Sequence, residues 1–226
     1  MYAPSAFKPH HAVSIAFAAA RGFGLVVTCD RGRPVASLLP FHLAETRKAL
    51  RATFHVAKVN PLAELAAKGG DWLIAITGAE AYVSPDWYAS ADQVPTWLYE
   101  TVQLSGPVHL VPPEHLASHL DRMTAPFEAS FATKIPWTSG QLSPARRDVL
   151  LKAIIGIEMT VETVAGSFKL NQNKSDADQV AVVQALTRQA DPAAQAIAAR
   201  MAAQRPHLPY KPLACAPPQY EPLAHD

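Results

Sequence analysis

Apolar and polar positions alternate with two different periods along this chain. In HAVSIAFAAAR, Val13, Phe17 and Ala20 recur at helical spacing, which predicts a helix over 11–21 with Gly22 as its stop. The period then shortens to that of strands. GLVVTCD, a charged turn RGRP and VASLLPF predict a β-hairpin, and LRATFHVA predicts a further strand ending near Lys58. Cys29 falls in an apolar strand and is expected in the core. Asn60 and Pro61 predict the cap and first residue of a short helix that Lys68-Gly69-Gly70 closes, because Asn accepts from free helix amides and Pro needs no donor there. WLIAIT (72–77), a short AYVS and TVQLSGPVHLV (101–111) read as three more strands. Gly106-Pro107 inside the last of them predicts a bulge or an edge rather than a central ladder.

Strands joined by short turns with few helices between them argue for a largely antiparallel sheet closing into a small barrel. After Pro112 the pattern changes. Helices are predicted over 113–123, from Ser143-Pro144 onward, over 176–188 and over 191–203. IIGIEMTVETV (154–164) alternates as one half-buried strand that rejoins the barrel. The tail, 205–226, carries six prolines and no periodicity, and is expected to be extended or disordered.

Composition narrows the classes. With 226 residues, 49% of them hydrophobic, a sizeable core is within reach. Twenty Lys and Arg against nineteen Asp and Glu leave a net charge of +1, which is no footprint for direct DNA binding. The two cysteines, Cys29 and Cys215, fit neither a disulfide framework nor a metal knuckle. No signal peptide is read at the N-terminus, and apolar runs break well short of the roughly 18 residues of a membrane span. A cytoplasmic protein is the expectation.

The chain contains no GxSxG, HExxH, CxxC or glycine-rich phosphate loop. His10-His11, His109, His115 and His119 lack a spaced partner and read as surface or core residues; no metal site is expected. Three polar islands remain. HVAKVNP places His55, Lys58 and Asn60 at a strand-to-helix turn, where free amides and Lys58 could hold an anion, or where Asn60 simply caps. AYVSPDWYASADQVPTWLY (81–99) gathers Trp87, Trp97 and three tyrosines around two prolines, as a stacking face or as a core plug. FKLNQNK (168–174) is a polar turn after a strand, a ligand site or a solvated loop.

Taken together, MYAPSAF, LLPF, HVAKVNP, AYVSPDWY with VPTWLY, IIGIEM and KLNQNK resemble the PaiB-type family of FMN-binding negative transcriptional regulators, from Met1 to about Met201. The resemblance implies an α+β, mainly β fold: a split antiparallel β-barrel related to flavin reductases and pyridoxamine-phosphate oxidases. It would span 1–125, with a helical extension over 126–204 whose one strand, at about 154–164, returns to it. The resemblance also implies a homodimer with FMN in the groove between protomers. Ser37, Pro40, His55, Asn60, Ser84, Trp87, Thr96, Trp97, Lys169, Gln172 and Asn173 match the family pattern and form the implied cofactor-binding set; Lys58 joins them from the turn reading. Leu39, Phe54, Leu98 and Gln103 depart from it, standing where the family usually has His, Gly, Asn and His. No catalytic residue is assigned. Alternative readings are a flavin-dependent oxidoreductase or flavin reductase, with His55 as proton donor, and a dimeric scaffold that has lost FMN.

Overall fold

The structure is a computed structural model and describes residues 1–131, 133–213, 215–220 and 222–223. In chain order the elements are α1 (His11–Arg21), β1 (Phe23–Asp30), β2 (Arg33–Glu45), β3 (Leu50–Ala57), α2 (Pro61–Lys68), β4 (Asp71–Val83), β5 (Thr96–Leu110), α3 (Leu116–Ala129), α4 (Pro144–Lys152), β6 (Ile154–Val161), β7 (Thr163–Lys169), α5 (Asp176–Thr187) and α6 (Pro192–Gln204). The strands form an antiparallel sheet in the order β4-β1-β2-β3-β6-β5-β7, and β4 also pairs with β5, so the sheet curls back on itself. The chain forms two compact units. One comprises Ala18–Ile76, Gln103–Val164 and Pro222–Asp226; the other comprises Met1–Phe17, Thr77–Val102 and Ala165–Glu221.

The unit built around Ala18–Ile76 starts from a hairpin. Arg31 and Gly32, at φ 51 and 79, make the two-residue turn that matches the right-handed twist of β1 and β2. Cys29 pairs with Pro34 near this turn and is exposed, not buried, because the sheet has no cover at its tip. β3 lies between β2 and β6 with full register to β6, from Leu50↔Val161 to Ala57↔Ile154. Alternate residues Ala52, Phe54 and Val56 point into the core beside Phe41, Ile157 and Met159. The α2 cap is as expected: Asn60 Oδ1 accepts from Leu62 N at 2.9 Å.

Three strand assignments differ from expectation. WLIAIT and AYVS are one strand, β4, since nothing between them breaks the ladder. The single strand expected over 154–164 is two, β6 and β7, separated at Glu162, whose N–H donates to Ser105 O at 2.9 Å. β5 extends over fifteen residues and is flanked by β6 and β7, so Gly106-Pro107 marks no edge. The glycine is there because backbone approaches backbone: a Cβ on Gly106 would meet Thr160 O at 2.0 Å.

In the other unit, α5 and α6 pack as a hairpin through Val182, Val183, Leu186, Ile197, Ala198 and Met201, all buried. Ser175 and Asp191 cap their N-termini through the amides of Asp178 and Ala193. Phe17 packs against Phe168 with the rings tilted and their centroids 5.2 Å apart. Leu98 is wholly buried, as is Phe54 in its own unit, so two of the departures from the family pattern are core side chains. Glu100, 2% exposed, is paired with Arg200 at 2.7 Å. Burial raises its pKa, opposed by Arg200 and by a hydrogen bond from Tyr220. Of the proline-rich tail, residues 214, 221 and 224–226 lie outside the described residues; the rest holds no helix or strand, yet Tyr220 stands edge-on to Phe17 at 5.1 Å.

Gly106→Ala is expected to destabilise the protein by about 3 kcal/mol, since the new methyl group must displace backbone rather than a side chain. Urea unfolding monitored by far-ultraviolet circular dichroism measures this.

Candidate functional site

The aromatic stretch and the FKLNQNK turn meet inside one unit. Ser84 opens a short 3-10 turn over Pro85–Trp87, with Trp87 N donating to Ser84 O at 3.1 Å. This turn swings Tyr88 inward, where its hydroxyl donates to Asn171 Oδ1 at 3.3 Å. Asn171 is 2% exposed, takes a left-handed φ of 61, and leaves its Nδ2 without a partner among the described residues. Gln93 accepts from Lys174 Nζ at 2.6 Å, and that ammonium also lies 5.2 Å from the Tyr88 ring centre. Asp178 locks the same corner. Burial would raise its pKa, but hydrogen bonds from Ser90 N, Ser90 Oγ and Ser175 Oγ outweigh that and hold it below the usual carboxylate range.

At the start of β5 the expected residues do converge. Lys169, at the end of β7, donates to Thr96 Oγ1. Next to it Trp97 is 56% exposed and stands edge-on to Tyr82, itself 46% exposed, with ring centroids 6.0 Å apart. Trp97, Tyr82 and Trp87 line a cavity of about 570 Å³ together with Glu80, Asp191 and Ala194. Tyr82 was not among the expected site residues; its place opposite Trp97 depends on β4 continuing through AYVS. Gln172 serves the turn itself, its Oε1 accepting from Leu170 N at 2.8 Å and its Nε2 donating to Phe168 O. Asn173 is exposed.

The remaining expected residues lie in the other unit. Asn60 Nδ2 donates to Ser37 Oγ at 3.2 Å while its Oδ1 caps α2, so both ends of its amide are engaged. Pro40 pairs with Phe23 inside the hairpin. Lys58 is held by its backbone N–H to Ala153 O at 2.9 Å, and its side chain lines an apolar cleft of about 460 Å³ with Leu110, Leu116, Leu151 and Ile155. His55 is half-buried with an Nδ1 that has no partner among the described residues, and its ring stands edge-on to His119 at 5.7 Å. Burial lowers the pKa of His55. His119 is held further down, at about 4, by burial first and then by the nearby His55, Arg122 and His42. No sequence spacing announces this pair, because β3 and α3 are brought together only by the fold.

Residues 1–163 match the protein family described as "Putative FMN-binding domain". The chain belongs to this FMN-binding family. It is similar to the protease synthase and sporulation protein PAI 2 of Bacillus subtilis (strain 168), with 32% identity over 202 residues, 89% of this chain and 96% of that protein, which bears out the PaiB-type resemblance. Two solved structures share the fold: the FAD and heme binding protein from Mycobacterium smegmatis, at a TM-score of 0.54 and 14% identity over 72% of each chain, and the flavocytochrome Anf3 from Azotobacter vinelandii, at 0.51 and 16% over 71% of this chain and 67% of that one. The α+β split-barrel expectation therefore holds. No helix among the described residues is long and apolar enough to cross a membrane.

The residues around Trp97 suit the flavin that the FMN-binding family implies. An exposed indole and phenol offer faces for a flat ring, and the carboxylates of Glu80 and Asp191 can accept from the ring N–H.

His119 makes stability depend on pH. Between pH 6.5 and about 4 the unfolded chain binds a proton at this ring and the folded chain does not, so the contribution is complete above pH 6.5 and is lost as pH falls towards 4. The loss should approach about 3 kcal/mol. His119→Gln should flatten the pH dependence in this window by that amount, measured as the difference between variant and parent in urea titrations at several pH values.

Proposed function

We propose that this chain binds FMN at the Trp97 cavity and acts as a flavin-binding regulator. The observation that carries the reading is the exposed Trp97–Tyr82 pair in the wall of this cavity. Large aromatics are costly to leave in water, and an exposed pair lining a concave surface offers a flat ring a stacking face. Trp97, Tyr82 and Trp87 would hold the ring, with Glu80 and Asp191 at its N–H edge. Ser37, Asn60 and Gln172 support turns rather than the ligand. FMN, when bound, supplies hydride and electron chemistry; the protein supplies position and polarity.

Regulation would run through a protein partner, because a net charge of +1 offers little to a phosphate backbone. The working form is a cytoplasmic homodimer, in keeping with two exposed, unpaired cysteines and with exposed Phe127, Phe131 and Ile135 on one segment. Sedimentation equilibrium should return twice the chain mass of 24.3 kDa; a single chain mass throughout the micromolar range would exclude the dimer.

The purified protein should absorb between about 350 and 500 nm, or quench flavin fluorescence when titrated with FMN. Trp97→Ala should weaken FMN binding about tenfold or more, since it removes the stacking face. No flavin uptake by the parent protein, or uptake unchanged in Trp97→Ala, would overturn the assignment.

A further inference from the structure

His119 is 1% exposed, and neither of its ring nitrogens has a hydrogen-bond partner among the described residues. Buried polar groups are otherwise almost always bonded, so two unbonded nitrogens on one ring call for an explanation. The ring lines a cavity of about 220 Å³ whose other polar walls are Thr53 from β3, His109 from β5, Glu158 from β6, and His115 and Arg122 flanking it on the α3 side. His119 and Arg122 are three residues apart on α3 and so share a face. The single carboxylate in this wall is already committed: Glu158 is paired with Arg51 and lies 3.0 Å from His109 Nε2. Arg122 has no ion pair among the described residues.

The cavity therefore combines a guanidinium with no counter-ion among the described residues and a buried imidazole able to donate, beside a Thr53 hydroxyl that donates to His42 O at 3.5 Å. No group of three His, Cys, Asp or Glu among the described residues is placed to hold a metal ion. At about 220 Å³ the space is also below the roughly 300 Å³ at which pockets for drug-sized ligands begin. We propose that this cavity binds a small tetrahedral oxyanion of the phosphate class, with Arg122 supplying charge and His119 donating a hydrogen bond. A guanidinium matches such an oxyanion with two parallel N–H donors, which a lysine could not do. The anion is either free phosphate or the head of a small phosphate monoester; both present the same oxygens. None of these residues belongs to the Trp97 cavity, so the two sites stand or fall separately.

The test is calorimetric titration of the full chain near pH 7 at low salt, first with inorganic phosphate and then with glycerol phosphate. One of the two should bind with a Kd at or below about 1 mM. Arg122→Ala should weaken that binding about tenfold or more; Arg122 is exposed, so the variant keeps its fold. Trp97→Ala should leave it unchanged. Tighter binding of inorganic phosphate identifies a free-ion site, and tighter binding of the ester identifies a monoester head; either supports the proposal. Absence of binding by both, or binding that Arg122→Ala does not alter, overturns it. Retained phosphate binding in a protein that takes up no flavin would remove the FMN reading and leave this one intact.

Discussion

The close backbone approach at Gly106 is the constraint on which much of this structure depends. Where β5 passes β6, Gly106 leaves no room for a side chain against Thr160 O, and Ser105 O accepts the N–H of Glu162 at the point where β6 gives way to β7. That contact sets the register that pairs His109 with Glu158 and Val108 with Met159. A one-residue slip in a strand exchanges its two faces, so the same constraint decides which side chains of β5 are buried and which reach solvent. Val102 and Leu104 go inward, and His109 at the end of the strand stays exposed to meet Glu158.

Charge in this protein is handled locally. Glu100 is taken out of water only with Arg200 and Tyr220 beside it, and Asp178 only with four hydrogen bonds from Ser90 and Ser175. Such groups cost several kcal/mol when unpaired and close to nothing when fully satisfied. His119 breaks this rule, with both nitrogens unbonded among the described residues in a buried position. The exception is what separates it from the structural polar groups around it, and Trp97 is the corresponding exception among the aromatics, large and apolar yet 56% exposed.

The departures from the family pattern look different once their surroundings are known. Leu98 and Phe54 are fully buried, so in this chain those positions are filled by packing rather than turned towards a ligand. Leu39 and Gln103 are half-buried on their strands. The aromatic groups of the proposed flavin site are none of the four, which is why the family assignment and the departures are compatible.

Local chemistry was enough to read many of the elements. The caps at Asn60, Ser143 and Asp191 and the stop at Gly22 follow from side chains satisfying, or glycine permitting, the ends of single helices, and β3 follows from its own alternation. The motif set from Met1 to Lys174 was likewise sufficient to place the chain in its family. What the sequence could not decide was everything that depends on a second element. Whether Gly106 marks an edge or a close crossing depends on Thr160, whether Cys29 is covered depends on what packs over the hairpin, and whether Gln172 holds a ligand or its own turn depends on the neighbouring amides. His119, Arg122 and Thr53 have no motif in common; only the packing of α3 against β3 turns three unremarkable residues into one cavity, because distance in space, not along the chain, determines which polar groups must find each other.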